Sequence, residues 1–339
     1  MEIKLWIYRL LVMTLILSFF ITILNYFVDP FQHYRVSTWY KITEKKQRSV
    51  TPGLAKNMFY ETAIIGSSMA ENFHVSQINE ELNTKSLKLC MSAITAYEMS
   101  QLLNVIFKYN SKIKRIVILL DPYSLSGDSK RTHNMALPIH LYDDNIINDI
   151  KYLLNKETLK FTLKTLTRDI NKETDFDKIW SWETVDFSKK TVLKTYGEAH
   201  FNSSFTPKMY TYNVLRNSFD LNILQYIERK PDIKFAIVFP PYSYLTYKDM
   251  KIKKWLKEVF KLKQYLVNLS LVNVDIYDFQ CVPSITENLN NYKDISHYSP
   301  TVNAFIVSSI KAKSYILNPR NIEKCLEVID KSAKKMLIR

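Results

Sequence analysis

The chain has 339 residues, 47% hydrophobic and 24% charged, which excludes a disordered chain and a polytopic membrane protein. It holds 4 glycines, against roughly 24 at ordinary usage, and lacks any G-x-G-x-x-G or Walker-type run. Nucleotide binding through glycine loops is therefore not expected. The net charge of +14 favours an anionic partner, yet no dense basic stretch is interleaved with aromatics, so nucleic acid is not expected.

At the N-terminus, Lys4 and Arg9 precede residues 10–28, which carry no charge. Nineteen helical residues rise about 28 Å, close to the thickness of a bilayer core. A cleavable signal peptide would have a shorter apolar region and a small-x-small site, and neither is present. The reading is an uncleaved single-pass anchor over residues 1–30, in contact with membrane lipid. Its basic N-terminus lies in the cytoplasm and residues 31–339 lie outside as one domain.

From residue 57 onward, short apolar runs alternate with amphipathic ones. Strands are predicted at 62–65, 86–90, 115–120, 233–239 and 271–277. Thr95-x-x-Glu98 is a capping box that opens a helix lined by Met99, Leu102, Leu103 and Ile106. Further helices are predicted at about 145–155, 157–166, 208–229 and 248–266, with a last one at about 300–311. Strands separated by helices imply βαβ units and an α/β fold, a parallel sheet covered on both faces. Residues 122–206, with Trp180, Trp182, His133, His140 and His200, break the rhythm and read as an insertion over one end of the sheet. Those histidines lack metal-ligand spacing. Cys90, Cys281 and Cys325 are widely spaced without a C-x-x-C pair, which predicts neither a zinc site nor a disulfide framework.

Two segments carry candidate chemistry. In Ile65-Gly66-Ser67-Ser68-Met69 a hydroxyl follows a buried strand, on the carboxyl edge where α/β proteins build their sites. Gly66 would permit a sharp turn, and a helix opening there would offer N–H groups to an oxyanion; a serine that simply caps the helix fits the same pattern. In Asp294-Ile295-Ser296-His297, the three-residue spacing lets the carboxylate accept from Nδ1–H, leaving Nε2 to take a proton from serine. One segment follows the first strand and the other the last, so a doubly wound sheet brings both to one edge. Pro240-Pro241-Tyr242-Ser243 ends another strand there, placing Tyr242 as a pocket-shaping, substrate-binding candidate.

Gly66-Ser67-Ser68-Met69 near the start and Asp294-x-x-His297 near the end resemble the SGNH (GDSL-type) hydrolase superfamily. The resemblance extends to its membrane-anchored branch, the D-alanyl-lipoteichoic acid transfer and polysaccharide O-acetylation proteins of bacteria. It runs through Asp29-Pro30-Phe31, residues 52–57, Leu141-Tyr142-Asp143-Asp144, residues 148–155 and residues 239–243. It implies a three-layer flavodoxin-like fold, Ser68 as nucleophile, His297 as base and Asp294 as its orienting partner. The oxyanion hole would draw on backbone N–H groups of Ser68, Ser92 and Ala93, although the superfamily places a glycine in that second block. Its third block has an asparagine where this chain has Asp121. The implied substrates are acyl esters of a cell-surface polysaccharide or teichoic-acid-like polymer, with a multi-span acyl-exporting protein as partner and neither cofactor nor metal. The two departures also fit an inactive module of the same fold that binds a glycan or an assembly partner.

Overall fold

The computed structural model describes residues 2–133, 136–202 and 207–336, with side chains at 2 and 197–202 left undescribed. Gly197 and His200 thus fall outside the described side chains.

Five strands, β1 (Thr62–Gly66), β2 (Ser86–Cys90), β3 (Arg115–Leu119), β4 (Lys234–Phe239) and β5 (Val274–Asp278), form one all-parallel sheet. The order is β2-β1-β3-β4-β5, the flavodoxin-like arrangement expected. The register places Ile65 between Leu89 and Ile118, and β1 is buried throughout, as its unbroken apolar run requires. The path steps one way from β1 to β2 and then back across β1 to β3. Right-handed crossovers therefore put the helices Val75–Leu82 and Ala96–Tyr109 on opposite faces. Pro300–Lys311 packs beside Val75–Leu82, and Leu256–Asn268 beside Tyr212–Phe219, completing three layers.

Several boundaries differ from the sequence reading. β5 begins three residues late because Leu271–Asn273 form a turn. The Asn273 amide donates to the carbonyls of Ile227, Lys230 and Ile233, tying that turn down. The helix expected over 248–266 is two, Tyr244–Ile252 and Leu256–Asn268, parted where Lys254 takes φ 62°. A helix at Ile322–Ser332 follows the one expected to be last. Its Ile322, Cys325, Leu326 and Ile329 are buried at i, i+3, i+4 and i+7. Cys325 is joined to Cys281 in a disulfide, whereas the spacing had predicted no framework. A 44-residue separation leaves no local signal.

The described contacts divide the chain into two compact units. One comprises Met1–Met58, Val105–Asn110 and Leu137–Asp175; the other comprises Phe59–Asn104, Ser111–Ala136 and Phe176–Arg339 and contains the sheet. The irregular stretch 122–206 is thus shared between them.

In the first unit, the helix Glu2–Val28 is long and apolar enough to cross a membrane. Where it ends, Asp29 turns the chain: its carboxylate accepts from the N–H groups of His33, Tyr34 and Arg35 and from the Tyr152 hydroxyl. A Cβ on Gly53 would lie 2.4 Å from the Gln32 carbonyl oxygen, so only glycine allows that approach. Asn57 donates to the same carbonyl, and Lys56 to that of Asp143. The segments 29–31, 52–57 and 141–155, scattered in sequence, therefore interlock in this unit.

Candidate active site

The site belongs to the sheet-bearing unit. At the carboxyl end of β1, Gly66 is pinned by packing and not by its turn angle. A Cβ there would meet Leu119 Cβ on β3 and Ala70 Cβ, each at 3.0 Å. Ser67 then caps a single 3-10 turn, Ser68–Ala70. The expected long helix does not begin at Ser68 but at Val75, so its dipole is not available to the hydroxyl.

Ser68 Oγ lies 2.7 Å from His297 Nε2, and His297 Nδ1 lies 2.8 Å from Asp294 Oδ2. Asp294 Oδ1 accepts from the backbone N–H groups of Ser296 and His297, both at 2.8 Å, closing a tight turn. That turn is fixed to the loop after β4: the Ile295 carbonyl accepts from Ser243 N–H and from the hydroxyls of Ser243 and Thr246. Burial pushes the Asp294 pKa up, but the hydrogen bonds from His297 and the backbone outweigh it and hold the carboxyl below its ordinary 3.8. The group is therefore a carboxylate, suited to orienting an imidazole and stabilising its protonated form.

A cleft of about 320 Å³ opens over Ser68 and His297. Tyr123, Tyr210, Tyr242 and Trp255 give it aromatic walls, with Met69 and Met250 beside them. Tyr242 is thus in the wall, largely buried, its N–H donating to the Tyr247 hydroxyl. Ala93 lines the cleft and Ser92 does not. Ala93 holds φ 51°, a left-handed backbone that favours glycine. The conformation of a glycine is therefore present at Ala93 without the residue.

Asp121 follows β3 and lines the same cleft, beside the β1 turn. This is the switch point of the sheet, where the chain leaves neighbouring strands in opposite directions. The carboxyl is almost wholly buried. Burial raises its pKa above 3.8, against hydrogen bonds from the Ser67 hydroxyl and the Ser124 N–H. No ion pair of Asp121 occurs among the described residues.

Trp182 carries no signal in sequence spacing, yet it frames the imidazole. Its indole N–H donates to the Ser68 carbonyl at 3.3 Å, and its ring meets His297 edge-on at 5.3 Å. Lys293 Nζ lies 3.9 Å from the Trp182 ring centroid. His133, by contrast, bonds the Tyr123 hydroxyl, and His140 lies in the other unit. Among the described residues, one group of potential metal ligands is found, Asp278, Cys281 and Cys325. Its thiols are consumed by the disulfide, and the buried Lys263 ammonium already sits 2.7 Å from the Asp278 carboxylate. The residues present do not fit a cation.

No protein-family model matches the chain, and no curated protein matches it. Among solved structures, a chain from Streptococcus pneumonia, provisionally described as a platelet activating factor, aligns with 80% of this chain and 91% of its own. The identity is 12% and the TM-score 0.40.

Proposed function

We propose that this protein is a serine-dependent acyl-ester enzyme of the SGNH type, anchored by its N-terminal helix and working outside the cytoplasm of a bacterium. The observation that carries the reading is the continuous Ser68–His297–Asp294 hydrogen-bonded chain at the mouth of an aromatic-walled cleft. Ser68 Oγ attacks the ester carbonyl while His297 Nε2 takes its proton. The tetrahedral oxyanion faces the N–H groups assigned to Ser68 and to Ala93 with Ser92 beside it. Collapse breaks the ester C–O bond, the imidazolium gives its proton to the leaving alcohol, and an acyl-Ser68 ester remains. A polymer hydroxyl, activated by the same imidazole, then accepts the acyl group, or water hydrolyses it. The aromatic walls suit the flat faces of sugar rings, and the net charge of +14 suits an anionic surface polymer or lipid headgroups. A multi-span acyl-exporting protein is the partner that this reading implies. The Cys281–Cys325 disulfide supports an oxidising compartment.

Labelling by a serine-reactive fluorophosphonate tests the proposal. Ser68 is expected to be modified, and Ser68→Ala and His297→Ala are each expected to lower turnover of a model acetyl ester by about 10³-fold or more. Full activity in both variants overturns it. Asp121 favours one second reading, a glycan-binding module without turnover, because a carboxylate facing the cleft opposes a developing oxyanion. Absence of labelling in folded protein decides for that reading.

A further inference from the structure

In the first unit, Ile146 and Ile147 are 82% and 86% exposed, and Ile150 and Leu154 follow them at 50% and 44%. They sit on consecutive turns, Ile146–Asp149 and Ile150–Leu153, and on the residue after them. Across a 3-10 turn followed by an α turn, spacings of i, i+1, i+4 and i+8 keep these side chains within one broad face. Soluble surfaces rarely spend four large aliphatic side chains this way.

The position of this stripe identifies its occupant. Asn25, a polar residue inside the apolar helix Glu2–Val28, is fully buried in the last turn of that helix. Its amide donates to the Leu153 carbonyl at 2.8 Å, and its oxygen accepts from the Thr162 hydroxyl at 2.7 Å. The turn Ile150–Leu153 and the helix Lys156–Lys164 both pack on the N-terminal helix. The exposed isoleucines are therefore held at the level where the apolar helix ends. That helix offers 26 apolar-rich residues, about 39 Å of rise, against a hydrocarbon core of about 30 Å. Its last turns accordingly reach the boundary between acyl chains and headgroups. Lys151 and Lys156, both exposed, flank the stripe as cations do on interfacial segments.

We infer that residues 146–154 form a second membrane contact, a short amphipathic shelf whose Ile146, Ile147, Ile150 and Leu154 enter the acyl–headgroup boundary beside the spanning helix. The inference rests on the reading of that helix as a span. It commits to lipid; a protein partner covering the same face is the alternative that the experiment separates.

The test uses the full chain in vesicles of phosphatidylcholine and phosphatidylglycerol, with a nitroxide on Ile147→Cys or on Leu15→Cys. Both positions are exposed, and the native cysteines are buried or disulfide-bonded. Spin relaxation by oxygen, which concentrates in lipid, is compared with relaxation by a water-soluble nickel chelate. Greater accessibility to oxygen than to chelate at both sites is the expected result. If Leu15 is oxygen-accessible and Ile147 chelate-accessible in these bilayers, which hold no other protein, the span stands and the shelf is wrong, leaving that face to a protein. If both are chelate-accessible, the span reading itself fails and takes the shelf with it.

Discussion

Ser68 and His297 stand 229 positions apart in sequence, and their Oγ and Nε2 atoms are 2.7 Å apart in the fold. The sheet brings them to one edge, and the Ile295 carbonyl clamps the histidine turn to Ser243 and Thr246. The proposed nucleophile, two residues beyond β1, and the proposed base, beyond β5, thus share a cleft.

Asp294 is expected to orient the base without limiting it. Its pKa is held below 3.8, so it stays ionised across the neutral range and contributes no acid limb to kcat/KM between about pH 5 and 9. An acid with a depressed folded pKa stabilises the fold above its unfolded pKa and loses that contribution as pH falls through the folded value. The corresponding stability loss thus lies below pH 3.8. Asp294→Asn is expected to lower kcat by about 10³–10⁴-fold, leaving urea stability near pH 7 much less affected. Unchanged kcat in that variant removes Asp294 from the mechanism.

Asp121 reverses the sign. A buried carboxyl whose folded pKa lies above 3.8 brings no penalty below that pH. The cost grows as pH rises through the unfolded and toward the folded pKa, and is complete above the folded value. Asp121→Asn is expected to melt higher than the parent at pH 8, with the gap closing at acid pH. As an amide donor in the cleft, it is also expected to raise ester turnover, by up to about 10²-fold. A lower melting temperature at pH 8 contradicts the assignment.

Ala93 gives a backbone test. A Cβ at φ 51° is strained, so Ala93→Gly is expected to stabilise the protein by about 1 kcal/mol despite the added freedom of the unfolded chain. Differential scanning calorimetry reads the shift. Ala93→Val should go the other way and by more.

The disulfide closes a ring that includes Asp294 and His297. For a 44-residue separation, loop-closure entropy predicts about 4 kcal/mol of stabilisation. Cys281→Ser with Cys325→Ser, or reduction of the parent, is expected to lower the urea midpoint accordingly. Buried Cys90 lies outside the ring, and its replacement by Ala in a control should cost only a smaller packing loss.

Much of the fold was legible because each strand is a short apolar run between polar punctuation, and β1 to β4 stand within a residue or two of their expected positions. β5 was misjudged at its start because Leu271 and Val272 look like strand residues, while the tertiary bonds of Asn273 make them a turn. The Asp294–His297 contact was legible through local spacing, whereas Ser68 was singled out from Ser67 by the family resemblance. Trp182 was not legible, since its contact with His297 depends on how an irregular stretch returns to the sheet. The burial of Asp121 and the left-handed Ala93 were equally hidden, because neither leaves a periodic trace. The Thr95–Glu98 capping box was visible, and its two reciprocal bonds form as the pattern dictates.

Asn25 changes what the N-terminal helix is mechanically. Bonded to Leu153 and Thr162, it fixes the helix azimuth about its own axis, so the segment is a keyed stalk and not a swivelling tether. An inserted residue between Asn25 and Asp29 would rotate one part against the other by about 100° and lift it by about 1.5 Å. If the helix spans a bilayer as proposed, a stalk of this kind would transmit orientation as well as attachment.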